Sequence, residues 1–141
     1  MKNVINNTQQ VVIEICSLRT TKLEFTYDVR VDRLSILGNP FKMDSESRRD
    51  LVCNYYRDYF LGMINNNVLK LAHVPNERLP RFIKLGFVEF RKEFMDELRR
   101  LYKILATHGK LRLFCWCAPK RCHAETIAKF LANYFKNCII K

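Results

Sequence analysis

Three cysteines and one histidine lie within residues 115–123, near the end of the chain: Cys115, Cys117, Cys122 and His123. A thiolate is a strong nucleophile, and its pKa falls beside a positive charge or at a helix N-terminus. An imidazole gains or loses a proton near neutral pH. Thiolates and imidazoles are also ligands that zinc prefers. The spacing therefore indicates a reactive thiol site or a metal site.

A strand, a tight turn and a helix are predicted around these residues. The apolar run at 111–116 has the length of a strand, and Pro119 breaks it. Apolar residues then recur at helical spacing over 127–134. In open α/β sheets ligands bind at the carboxyl ends of strands, and a helix N-terminus favours an anion. We therefore expect the turn to hold an anionic ligand.

Three interpretations of the turn stay open. In the first, Cys122 is the catalytic nucleophile, its pKa lowered at the helix start; His123 is its acid or base, and Cys117 contacts the ligand. In the second, the three thiols and His123 bind zinc, a complete set in which two adjacent ligands are geometrically awkward. In the third, the thiols pack a tight turn and His123 bonds at the helix cap. Strand alternation places Cys115 and Cys117 on one face and predicts that Trp116 is buried on the other.

A second motif lies upstream and joins arginines to a Gly-Asn-Pro turn. It reads Arg30-Val31-Asp32-Arg33 and then Gly38-Asn39-Pro40-Phe41. Guanidinium groups pair well with phosphate, so Arg30 and Arg33 are expected to hold one at the strand end. Gly38 would adopt a positive φ angle or allow a ligand close to the backbone, and Asn39 would contact a base or ribose above Phe41.

Two further arginines, Arg48 and Arg49, stand in the first turn of a predicted helix, where the helix dipole favours acids. A bound anion would relieve that mismatch, and exposure to water would reduce it. The predicted ligand-binding residues are therefore Arg30, Asp32, Arg33, Gly38, Asn39, Arg48, Arg49 and Cys117.

The two motifs together resemble the signatures of the family called domain of unknown function 4326, which occurs in small bacterial and phage proteins. The matching residues are the 30–33 and 38–41 motifs, Arg48 or Arg49, Tyr56-Arg57, and Cys115-Trp116-Cys117-Ala118-Pro119 followed by Cys122-His123. The resemblance covers residues 27–135. It implies a Rossmann-like α/β domain and a nucleotide ligand.

The charge of the chain indicates an acidic partner. The formal net charge is +11 over 141 residues, which suits a nucleotide or other phosphate ligand, nucleic acid or an acidic host protein, and also suits a merely solvated basic surface. No stretch approaches the roughly 20 apolar residues of a membrane helix, and no signal peptide is recognisable. We expect a cytoplasmic protein, in the host cytoplasm if phage-encoded, with reduced cysteines and no membrane partner.

Local patterns divide the chain into a flexible leader, residues 1–10, and a single domain, residues 11–141, with a basic insertion at about 65–86. Strands are predicted at 11–16 and 24–31, joined as a hairpin, with Phe25, Tyr27, Val29 and Val31 on one face.

The predicted helices follow. The first begins at Asp44 or Ser45, ends at Gly62 and carries an apolar stripe that includes Leu51. The second spans 87–108 with Gly109 as its C-cap. Residues 137–141 are interpreted as a tail, and Cys16, Cys53 and Cys138 as core packing.

These observations predict an α/β protein: a single three-layer Rossmann-like domain with a mostly parallel sheet. The predicted function is binding of a nucleotide or nucleotide-derived ligand at the Cys/His-rich turn, with processing by a hydrolase or transferase reaction as an extension. The alternative is a non-enzymatic modulator that binds nucleic acid or a host protein and carries a structural zinc site. Zinc is the one cofactor candidate.

Overall fold

The structure is a computed structural model that describes residues 9–67 and 86–141. Its elements in chain order are β1 (Gln10–Ser17), β2 (Asp28–Arg30), a 3-10 turn (Glu46–Arg48), α1 (Arg49–Ile64), α2 (Phe87–His108), β3 (Lys110–Cys115), α3 (Ala124–Ala132) and β4 (Asn137–Ile140). The predicted leader, apart from residues 9–10, and most of the predicted insertion lie outside the described residues.

The four strands form one sheet in the order β2-β3-β1-β4, and each neighbouring pair is parallel. Parallel neighbours need crossover connections, which the helices between β2 and β3 and between β3 and β4 supply. The predicted α/β class with a mostly parallel sheet is confirmed. None of the helices in the described part of the chain has the length and apolar character needed to span a bilayer. The cytoplasmic location stays a prediction.

One face of the sheet carries the hydrophobic core. The strand register places Ile13 opposite Leu111 and Val29 opposite Leu113, so these side chains point to the same side. They share one buried cluster with apolar residues of all three helices, among them Tyr56, Phe60, Phe94, Leu101, Ile127 and Leu131. The apolar residues that recur every second position in the strands and about every 3.6 positions in the helices therefore pack together on this face.

The opposite face is held by an ion pair and aromatic rings. Arg112 of β3 makes two hydrogen bonds to the carboxylate of Asp28 in β2, at 2.7 and 2.9 Å. Its guanidinium also lies 5.1 Å from the ring centroids of Phe25 and Phe114. The predicted three-layer arrangement needs a layer on this face as well. Among the described residues that layer is formed by the connection between β1 and β2 and not by helices.

The predicted hairpin is wrong, because β2 pairs in parallel with β3 and has no ladder to β1. The strand predicted at 24–31 is also shorter, since the carboxylate of Asp28 accepts the backbone N–H groups of Glu24 and Phe25 and closes a turn there. Phe25 is consequently exposed instead of facing the core.

Three boundaries differ from the prediction. Residues 137–140, interpreted as a tail, form strand β4 and pair with β1. The first α-helix begins at Arg49 after the 3-10 turn and continues to Ile64, past Gly62. Leu51 of its predicted stripe is exposed, whereas Tyr56 is buried. The second predicted helix is confirmed as α2, with Gly109 as its C-cap at φ 71°.

The loop after β2 is held by its own backbone. Arg33 donates 2.7 Å hydrogen bonds to the carbonyl oxygens of Asn39 and Phe41. Gly38 faces the start of the same loop, where an added Cβ atom would lie 2.3 Å from the carbonyl oxygen of Asp32. The chain itself makes a close approach at Gly38, which needs no positive φ angle, and the ligand contact there stays a prediction.

We expect Gly38→Ala to lower the free energy of unfolding by about 3 kcal/mol, the upper end of the usual cost of overpacking, because the clash is with backbone. Chemical denaturation measures this. Leu34→Ala is the control in the same loop, since its side chain is 73% exposed and should change stability by no more than about 0.5 kcal/mol. Equal unfolding midpoints for Gly38→Ala and the wild type would contradict the packing described.

Candidate functional site

A cavity of about 310 Å³ opens at the carboxyl ends of β2 and β3, beside the start of α3. Both sequence motifs line it. The first contributes Arg30, Asp32, Arg33 and Asn39, and the second contributes Cys115, Trp116, Cys117, Cys122 and His123. Arg49 and Arg121 complete its charged wall. We call this space the thiol cavity.

The three thiols of the cavity share protons unequally. Cys115 and Cys122 are buried, whereas Cys117 is half-buried. The single S–H proton of Cys122 can be donated to either neighbouring sulfur. Its hydrogen bond to Cys117 lowers the pKa of Cys117 to about 5, with further support from the Arg49 guanidinium beside it. Directed to Cys115 instead, the same proton lowers the pKa of Cys115 to about 7. Cys117 is therefore the thiolate that faces the cavity at neutral pH.

The expected lowering of the Cys122 pKa is not what the structure shows. Hydrogen bonding to Cys115 and Cys117 raises the pKa of Cys122, and burial raises it further. The backbone N–H of Ala124 at the helix start acts in the opposite direction but is outweighed. The catalytic role of Cys122 stays a prediction, and in this geometry Cys122 is the thiol that keeps its proton.

His123 is buried and both of its ring nitrogens have neighbours within the chain. Its Nε2 lies 2.5 Å from the carbonyl oxygen of Val31, to which it donates, and its Nδ1 lies 3.4 Å from the sulfur of Cys122. Burial lowers the pKa of His123 to about 4, so the ring is neutral at physiological pH. Its predicted acid or base role stays a prediction; the contacts seen here orient Cys122.

The first N–H groups of α3 are occupied by the chain itself. The N–H groups of Glu125 and Thr126 donate to the carbonyl oxygens of Cys122 and His123 at 3.1 and 3.0 Å, and the N–H of Cys122, just before the helix, donates to Oε2 of Glu125 at 3.0 Å. The predicted anion site at this helix start is thus largely filled. Positive charge for an anion comes instead from arginine side chains.

Two arginines from different elements are linked across the thiol cavity. Arg49 of α1 makes a bidentate pair with Glu46 and donates to the carbonyl oxygen of Arg121 at 2.9 Å. Arg121 in turn donates to the side chains of Asp50 and Asn54, each at 2.9 Å. This network fixes the start of α1 against the Cys-rich turn. Sequence reasoning missed Arg121, although its place beside Cys122 was a signal.

Six of the eight predicted ligand-binding residues line the thiol cavity: Arg30, Asp32, Arg33, Asn39, Arg49 and Cys117. Gly38 lies on a neighbouring cavity of about 480 Å³, which Arg33 and Asn39 also line. Arg48 lines neither, and its buried Nε has no hydrogen-bond partner within the part of the chain that the structure describes. The Oδ1 of Asn39 accepts the backbone N–H of Phe41 at 2.9 Å, so a ligand would meet the Nδ2 side of that amide.

Trp116 was predicted to be buried and is not. Its side chain is 48% exposed and lines the thiol cavity together with both flanking cysteines. The reason is that β3 ends at Cys115, so the alternation of faces does not extend to Trp116 and Cys117.

Among residues 9–67 and 86–141, no group of three or more His, Cys, Asp or Glu side chains has an arrangement that could hold a metal ion.

The sequence model of one protein family, described as Domain of unknown function (DUF4326), matches residues 15–133. That range includes both motifs and the whole wall of the thiol cavity. No curated protein and no solved structure matches the chain.

We expect iodoacetamide to alkylate Cys117 with a rate that reaches half its maximum near pH 5, where its thiolate forms. Site-resolved mass spectrometry over a pH series measures this. Arg49→Gln should move the midpoint upward, because the guanidinium stabilises the thiolate, and Arg99→Gln on the exposed face of α2 should leave it unchanged. A Cys117 rate that keeps rising to pH 9 would refute the assignment.

A second expectation concerns stability in acid. Because folding lowers the pKa of His123 from 6.5 to about 4, the unfolded chain binds a proton over this interval that the folded chain does not. Stability should therefore fall as the pH drops from 6.5 to 4, by up to about 3 kcal/mol from this group. Urea unfolding across this range measures it. The profile of His123→Gln should be flatter than that of His108→Gln, and parallel profiles would contradict the burial of a neutral ring.

Proposed function

The chain belongs to the DUF4326 family, and we propose that it binds a nucleotide or nucleotide-derived ligand in the thiol cavity, with the phosphate against the arginine side chains. The observation that carries this proposal is the charge of the wall. Arg30, Arg33, Arg49 and Arg121 line the cavity against one carboxylate, that of Asp32. The carboxylates that pair with Arg49 and Arg121, those of Glu46 and Asp50, do not line the cavity, so guanidinium groups are what an incoming phosphate would meet there.

The arginines differ in how their charge is compensated. Arg30 pairs with Asp32, Arg49 pairs with Glu46, and Arg121 pairs with Asp50. Arg33 donates to two carbonyl oxygens, and no carboxylate pairs with it among the described residues. A guanidinium that faces a cavity without a carboxylate partner attracts phosphate, which accepts its hydrogen bonds at full negative charge.

Position and size support the same proposal. The carboxyl ends of parallel strands are where open α/β sheets bind ligands, and the thiol cavity lies at the ends of β2 and β3. Its volume of about 310 Å³ is at the lower end of the roughly 300–1,000 Å³ of small-molecule sites. That favours one nucleotide over a dinucleotide.

A processing step extends the proposal. The half-buried Cys117 thiolate faces the space where the ligand would lie, and Cys122 stands behind it as a proton donor. In a hydrolase or transferase reaction, Cys117 would therefore take the nucleophilic role that the sequence predicted for Cys122.

The alternative of nucleic-acid or acidic-protein binding would need free positive charge on an open surface. On α2, Arg99 and Arg100 pair with Asp96 and Glu97 at 3.0 and 2.6 Å. These pairs reduce the positive potential of the most basic helix, and they favour the cavity over the surface as the anion site.

Calorimetric titration with the nucleoside 5′-monophosphates tests the proposal. Arg49→Gln and Arg121→Gln should weaken binding about 10- to 100-fold, as expected for a lost charge-assisted hydrogen bond. Arg99→Gln removes the same charge outside the cavity and should bind like the wild type. Each variant is checked for an unchanged unfolding midpoint, because both cavity arginines also hold the chain together.

Two results would overturn the proposal. Absence of binding of any monophosphate by the wild type would remove the ligand class. Binding of oligonucleotides with a steep log–log salt dependence, weakened equally by Arg49→Gln and Arg99→Gln, would favour the nucleic-acid alternative instead.

A further inference from the structure

Trp116 has a large aromatic side chain that is exposed to solvent at the thiol cavity. It is 48% exposed, although an indole is among the side chains that gain most from burial. The orientation of its ring is fixed, because its Nε1 donates a 3.1 Å hydrogen bond to Oδ2 of Asp32. The exposed apolar surface beside it is extended by Leu34, which is 73% exposed and lines the same cavity.

The acceptor of the indole is itself fixed. The side chain of Asp32 is 5% exposed and pairs with Arg30, whose Nε and Nη2 contact its two carboxylate oxygens. This chain of hydrogen bonds from Arg30 through Asp32 to Trp116 therefore joins the end of β2 to the residue after β3. An aromatic ring with its orientation already set loses less conformational entropy when a ligand packs on it.

The surroundings restrict what such a ring can contact. An exposed indole face binds either a cation or a planar group. The four guanidinium groups that line the cavity disfavour a cation there. A planar group that is covalently joined to an anion satisfies both the ring and the arginines, and a nucleotide has that composition.

We propose that Trp116 is the stacking platform for the base of a mononucleotide whose phosphate lies against the cavity arginines. This inference rests on the proposed function and names its specificity element. Arg30 and Asp32 are positioning residues, since they act through the indole. The same surface would bind a sugar phosphate without a base much more weakly.

The chain is suited to a direct test, because Trp116 is its one tryptophan and the intrinsic indole fluorescence therefore reports on this site alone. The purified full chain is titrated with the four nucleoside 5′-monophosphates and with ribose 5-phosphate. A monophosphate with a base should quench the fluorescence as it stacks, and ribose 5-phosphate should not. Calorimetry on the same samples supplies the dissociation constants.

Variants separate stacking from folding. Trp116→Ala should weaken nucleotide binding roughly 5- to 100-fold, in line with one base stacked on one aromatic ring, and should leave the weak binding of ribose 5-phosphate unchanged. Trp116→Phe keeps a flat ring but loses the bond to Asp32, and should lie between Ala and the wild type. Tyr134→Ala is the matched control, since Tyr134 is 54% exposed and lies outside the cavity.

The outcomes distinguish this inference from the proposed function. Equal affinity for nucleotides and ribose 5-phosphate, or equal loss of both in Trp116→Ala, would overturn the stacking role while the anion site stood. A wild type that binds neither class would overturn both. Quenching by monophosphates, with a base-dependent loss in Trp116→Ala and none in Tyr134→Ala, would support the assignment.

Discussion

The parallel pairing of β2 with β3 is the constraint on which the rest of the site depends. Three residues of β2 lie beside β3, and this short ladder brings together motifs that are more than 70 residues apart in the chain. Besides the backbone bonds, side chains of the second motif and of β3 reach across the junction: Arg112 to Asp28 within the sheet, Trp116 to Asp32 at its edge, and His123 to the Val31 carbonyl beyond it. Without the ladder the arginines and thiols would not face one cavity.

The fold was predictable where a single element carries its own signal. The 3.6-residue apolar pattern defines α2 from Phe87 to His108, and the apolar run defines β1. The pairing of β2 was not predictable from its alternation, since a strand of that pattern fits either neighbour. Strand β4 is four residues long, and a run that short has no distinctive period of its own. Its place in the sheet comes from docking beside β1.

The site was predictable by residue type and only in part by role. The sequence identified the thiols and most of the arginines as candidate site residues, because they cluster in two motifs. It could not show which of three thiols keeps the shared proton, since that depends on relative burial and on Arg49, which lies far from them in sequence. It also placed Trp116 by extending strand alternation one residue too far. Gly38 is a similar case. The sequence indicated that something approaches this residue closely, but it could not show that the neighbour is the backbone of Asp32 in the same loop.

The contact between His123 and Val31 differs in kind from that between Trp116 and Asp32, and this has an evolutionary consequence. His123 reaches a main-chain carbonyl, which every amino acid at position 31 supplies, so the side chain there is constrained by core packing alone. Trp116 reaches a carboxylate, which few residues can replace. Substitutions at Asp32 and Trp116 should therefore be accepted jointly during divergence, whereas positions 31 and 123 can drift independently.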